Sequence, residues 1–189
     1  MKSISQSQEK SKEKSVTTTN REFLTTYNPK NLAIAFRDVK SPLAAIDSGG
    51  SNLFALRKAH GDVKVAALIK LYMIELNTLL NLKRSLTEEM IDAIADELLA
   101  SFSMLNMADV HLVFRRAKTG HYGELFENVN MPKVLTWFTD YFEERCSAAA
   151  QRSVEEAQQH KRDDKRVSET VAEVDKAFKL KYMKYVAGK

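Results

Sequence analysis

Residues 62–82 read DVKVAALIKLYMIELNTLLNL. Val65, Leu68, Ile69, Tyr72, Met73, Leu76, Leu79 and Leu80 recur at spacings of three and four, the period of an α-helix. Ala66, Ala67, Leu71 and Ile74 widen that stripe almost to the full circumference. A helix apolar on most sides belongs at the centre of a bundle. A membrane span is excluded because Lys64, Lys70, Glu75 and the asparagines interrupt the run.

Short helices are expected before this segment. Asn28-Pro29 pairs an N-cap with proline at the first helical position, ahead of Leu32, Ile34, Ala35 and Phe36. Ser41-Pro42 repeats the signal, and Gly49-Gly50 ends that element. Ser51 is expected to cap a helix from Asn52 to His60, with Gly61 as its stop. After the central segment, Ser85-Leu86-Thr87-Glu88 fits a capping box. The helix it opens carries Met90, Ile91, Ile94, Leu98 and Leu99 on one face and Asp92, Asp96 and Glu97 on the other. Asn106 recaps the chain for a helix from Met107 to Lys118, and residues 119–123 form a turn. Asn130 then opens the last major helix, packed through Val134, Leu135, Trp137, Phe138, Tyr141 and Phe142.

From Ala148 onward apolar density collapses, yet no Gly or Pro follows until Gly188, which predicts a helix running on as a charged extension. Val167, Val171, Val174 and Phe178 are spaced four, three and four apart and restore an apolar seam. Such a seam calls for a partner, either the protein's own core or a second chain. At the other end, Met1 to Asn20 is polar and rich in Ser, Thr, Lys and Gln. It buries too little to offset its ordering entropy. The expected organisation is therefore a disordered, flexible basic arm over 1–27, a compact all-α multi-helix bundle over 28–150, and an extended charged C-terminal helix over 151–189. Only 6 Gly and 3 Pro in 189 residues leave an all-β fold without its turns.

The formal charge of +4 belongs to the ends of the chain. Residues 1–20 carry +2, residues 152–166 carry +1 and residues 167–189 carry +2, leaving −1 on the middle. A neutral core with basic ends suits a polyanion held by the tails, and suits solubility equally. The single cysteine, Cys146, excludes an internal disulfide framework and a multi-cysteine zinc site. No apolar signal region opens the chain, so the expected compartment is the cytoplasm, that of a bacterial host on the resemblance below.

Catalytic patterns are missing. His60, His111, His121 and His160 fall on separate elements, without metal-ligand spacing. Asp92 and Asp96 share a helical face, but the face a solvated helix requires. Cys146 follows two glutamates and lacks an electropositive setting. No phosphate-binding glycine loop or nucleophile elbow occurs, so a non-enzymatic protein with no cofactor and no metal is expected.

The richest stretch is 115–123. Arg115, Arg116 and Lys118 lead into a turn with Gly120, His121 and Gly123. Amides of such a turn, with arginines at a helix end, suit a phosphate, and the G-x-x-G spacing matches the clamp of KH domains. KH domains need strands that this chain lacks. Basic residues and a glycine are equally what a helix C-terminus requires.

Ala108-Asp109, Phe114, Lys118, Gly120, Tyr122-Gly123, Trp137-Phe138, Tyr141 and Glu144-Arg145, in that order, resemble small helical proteins of unknown function encoded by phages and mobile elements of Bacteroidales. The resemblance covers about residues 100–150 and includes no catalytic motif. It implies a setting, a phage or conjugative element in a bacterial cytoplasm. Two functions are then expected. The first is an accessory protein of DNA replication or metabolism that contacts DNA or a replication protein, in the manner of a helicase-loader adaptor. Its nucleic-acid or phosphate-binding set would be Arg115, Arg116, Lys118, Gly120, His121 and Gly123. The second is a structural or assembly protein, a virion component or scaffold, forming a homo-oligomer through Val167, Val171, Val174 and Phe178.

Overall fold

The computed structural model describes residues 22–80, 85–123 and 129–187, with side chains given for all of these except 168 and 179–187. Every regular element among them is a helix. Helix α1 covers 22–27, followed by α2 (Pro29–Ala35), α3 (Pro42–Asp47), α4 (Leu53–His60), α5 (Asp62–Leu80), α6 (Glu88–Ser101), α7 (Met107–Lys118) and α8 (Met131–Ala187). The expected all-α bundle is what forms. Two compact units divide the chain, residues 1–145 and 146–189. The boundary lies inside α8, five residues before the expected one.

Caps set most of the helix starts. Asn28 accepts from the Asn31 amide and Ser41 from the Ala44 amide, each with proline just inside the helix. Helix α4 begins one residue later than expected, because Asn52 and not Ser51 is the cap. The capping box expected at Ser85–Glu88 does not form. Thr87 caps α6 by accepting from Met90 N, which makes Glu88 its first residue. The reciprocal box sits instead at Asn106 and Asp109, each side chain accepting the other's backbone N–H. Asparagine and aspartate do there what serine and glutamate do in the usual pattern.

Helix α5 lies at the centre of the first unit, in contact with α2, α4, α6 and α7. Val65, Leu68, Ile69, Tyr72, Met73 and Leu76 are fully enclosed on it. Burying a side chain of this size contributes about 1.5–3 kcal/mol. The end expected at Leu82 lies outside the described residues. Asn77 fixes the entry to α6 by donating to the Leu86 carbonyl at 3.0 Å and accepting its amide at 2.9 Å. Another clamp is longer in range: Leu53 N and Phe54 N, free donors at the start of α4, bond to the carbonyls of Leu105 and Ser103.

The folded unit starts earlier than Asn28. Phe23 is 5% exposed and stacks with Tyr27 and His60, ring centroids 5.0 and 4.5 Å away. The flexible arm expected over 1–27 is thereby shortened by α1, and its remaining residues lie outside the described ones. The first part of α8 packs through Val134, Trp137, Phe138 and Tyr141 as expected, with Phe138 between Phe102 and Phe114.

Candidate functional site

The end of α7 and its turn adjoin the first four turns of α8. Helix α7 is enclosed on all sides over Met107–Phe114, so even its polar residues lie in the core. Asp109 and His111, two residues apart, point to opposite neighbours. The Asp109 carboxylate is fully buried and accepts from Tyr141 Oη at 2.6 Å and from Arg145 Nε at 3.1 Å. Burial, then the Asp109 charge, hold the Tyr141 hydroxyl well above the usual tyrosine range. On the other side, His111 Nδ1 lies 3.1 Å from Tyr72 Oη. Burial, reinforced by Arg115 and Lys118, pushes the His111 pKa down to about 4, so the ring is neutral.

The three cations expected to face phosphate all have internal partners. Arg115 donates to the carbonyls of Phe36, Arg37 and Val39, satisfying the chain as it leaves α2. Arg116 makes a two-pronged pair with Glu144, and its guanidinium lies 5.4 Å from the Tyr141 ring centroid. That pair raises the Arg116 pKa and lowers the Glu144 pKa. Lys118 Nζ donates to Glu75 on α5 at 2.8 Å. Of the proposed set only His121 keeps an exposed polar side chain.

Gly120 and Gly123 have a local explanation. The Gly120 amide bonds to Ala117 O and the His121 amide to Arg116 O, the paired bonds of a Schellman motif. Gly120 has φ +80° and Gly123 φ +86°, values that side chains strain to adopt. A Cβ on either would meet no atom within 4 Å. Backbone conformation, not close approach of a neighbour, is what glycine supplies there.

Beyond this turn lies an open cleft of about 440 Å³, lined by His121, Tyr122, Lys133, Trp137, Asp140 and Glu144 among others. Tyr122 stacks on Trp137 at 5.6 Å. The Arg116 guanidinium is directed at Glu144 and lies close enough to the buried Tyr122 Oη to act on it electrostatically. Burial raises the Tyr122 pKa, and the Arg116 charge opposes it. No group of three or more His, Cys, Asp or Glu side chains among the described residues could hold a metal ion.

The second candidate is on α8. Val167, Val171, Val174 and Phe178 are 62, 62, 65 and 70% exposed. Every described side chain from 153 to 178 is exposed. Local support comes from pairs one turn apart, among them Gln151–Glu155, Arg152–Glu156, Gln159–Asp163 and Lys165–Glu169. No helix among the described residues is long and apolar enough to cross a membrane.

No protein-family model, curated protein or solved structure matches this chain. Contacts of Asp109 with Tyr141 and Arg145, Phe114 with Phe138, Arg116 with Glu144 and Tyr122 with Trp137 tie α7 and its turn to α8. Sequence reasoning missed the buried polar groups on α7. Their only signal was a short helix whose remaining residues over 107–114 are apolar.

Proposed function

We propose that this chain is a non-enzymatic assembly protein that associates with copies of itself through the C-terminal half of α8. On the resemblance, it would serve a phage or mobile element as a virion component or scaffold. The carrying observation is the row Val167, Val171, Val174 and Phe178, each more than 60% exposed among the described side chains of α8. Pairs one turn apart add only about 0.2–0.5 kcal/mol each. A helix of this kind gains most of its stability by burying an apolar face. The row therefore favours a second chain over bare solvent.

Contact with DNA or a replication protein is the weaker reading. Arg115, Arg116 and Lys118 are spent on internal partners, so a polyanion would have to be held by other cations, among them the exposed Lys161, Arg162 and Arg166. Those cations alternate with Asp163 and Asp164. The test is the solution mass. Val171→Lys with Val174→Lys should convert an oligomer to monomer in light scattering while leaving the helical signal of the first unit unchanged. A wild-type chain that remains monomeric at all accessible concentrations would overturn the reading.

A further inference from the structure

The charges at the two ends of the seam specify how two copies meet, if the self-association just argued holds. Along α8, Val171 and Phe178 fall on one core row of a heptad and Val167 and Val174 on the other. Continuing both rows outward brings Asp164 onto the row of Val171, seven residues earlier, and position 181, a lysine, onto the row of Val174, seven residues later. The apolar seam is thus closed by an acid at one end and a base at the other.

A parallel pair in register would set Asp164 against Asp164 and Lys181 against Lys181, like charges in two core layers. An antiparallel pair mixes the rows instead. With its two-fold axis between residues 172 and 173, Phe178 meets Val167 of the second copy and Val171 meets Val174. The next layers outward bring register positions 164, an aspartate, and 181, a lysine, face to face, twice by symmetry. Position 184, also lysine, then falls beside Asp163 of the second copy. The Phe178 register position faces the smaller Val167, and the acidic positions 164 and 163 face the lysine positions 181 and 184. A self-complementary face of this sort is what a two-fold interface demands.

We infer that the occupant of this face is a second copy of the chain, running antiparallel, with Asp164 and Lys181 as the pair that sets orientation and register. Their contribution lies mainly in excluding the parallel arrangement.

The experiment is a charge exchange in the full chain, read by sedimentation equilibrium. Asp164→Lys alone and Lys181→Asp alone should each weaken dimerisation by about tenfold or more, roughly the effect of 1.4 kcal/mol. Combining Asp164→Lys with Lys181→Asp should restore it. Restoration is expected only when the two positions face each other, since a parallel pair keeps like charges together after the exchange. Asp164→Asn adds the opposite-sign control: it loosens an antiparallel pair and tightens a parallel one. The exposed Cys146 reports independently. In the antiparallel register two copies of it lie about 80 Å apart along the axis, at 1.5 Å per residue, and mild oxidation should give no disulfide-linked dimer. A dimer that is not restored by the exchange, or that links rapidly through Cys146, would overturn the orientation and leave self-association standing. A wild-type monomer would overturn both.

Discussion

His111 shows how a single polar residue couples the core to pH. Its ring is enclosed by α7, Tyr72 and Phe36, with Arg115 and Lys118 near enough to disfavour a further positive charge. The folded-state pKa is about 4, against an ordinary 6.5. The unfolded chain therefore takes up a proton between these values and the folded chain does not, so stability is lost as pH falls from about 6.5 to about 4. The shift corresponds to a loss of about 3 kcal/mol at the acid end of that window. His111→Gln removes the titration. Its urea midpoint at pH 7 should be lower than the wild-type value, yet the further loss on going to pH 4 should be smaller. Equal losses for the two chains would show that His111 does not carry the effect. Asp109, by contrast, was visible in the sequence only as an acid near a helix start. Nothing in a one-dimensional pattern shows that Tyr141 and Arg145, more than thirty positions on, converge on the same carboxylate oxygen.

At the scale of elements, Arg115 separates two meanings of a basic helix end. Its guanidinium spans the gap from α7 to the three carbonyls that follow α2. Charged-group hydrogen bonds to backbone are worth about 1.5–3 kcal/mol, and two of these three contacts are part-buried. Arg115→Ala should lower stability by about 2 kcal/mol in urea titration. It should leave any affinity for DNA, measured by fluorescence anisotropy over a salt series, unchanged once folding is secured. A large loss of DNA affinity with undiminished stability would return Arg115 to the phosphate-facing role. The helices themselves were legible because their signals are local: prolines at the starts of α2 and α3, Gly61 after α4, and the all-round apolar character of α5. The error at α6 was also local, since Ser85 and Thr87 both offer a capping hydroxyl and only the tether from Asn77 to Leu86 favours the second. What the pattern could not express is which side chains turn inward at a helix end. Arg116 and Lys118 look like solvent-facing cations until Glu144 and Glu75 arrive from other helices.

At the scale of the whole molecule, burial is divided unevenly between the two units. Among the described residues, those that are apolar and buried all lie within 23–141, whereas the described side chains from 153 to 178 are exposed. Stability and association should then be separable properties. A chain ending at residue 150 keeps α8 through Tyr141, Glu144 and Arg145, and with them the ties to Asp109 and Arg116. Its urea midpoint should match that of the full chain to within about 0.5 kcal/mol, the range typical of changes away from a core. Its mass in light scattering should be that of a monomer. On the self-association proposed above, the full chain should also show a helical signal at 222 nm that grows with protein concentration, since mass action would link folding of the C-terminal helix to association. The truncated chain should show no such dependence. If truncation lowers the midpoint by several kcal/mol, the extension supports the core directly, and the valine row would then be serving this chain's own fold instead of a second copy.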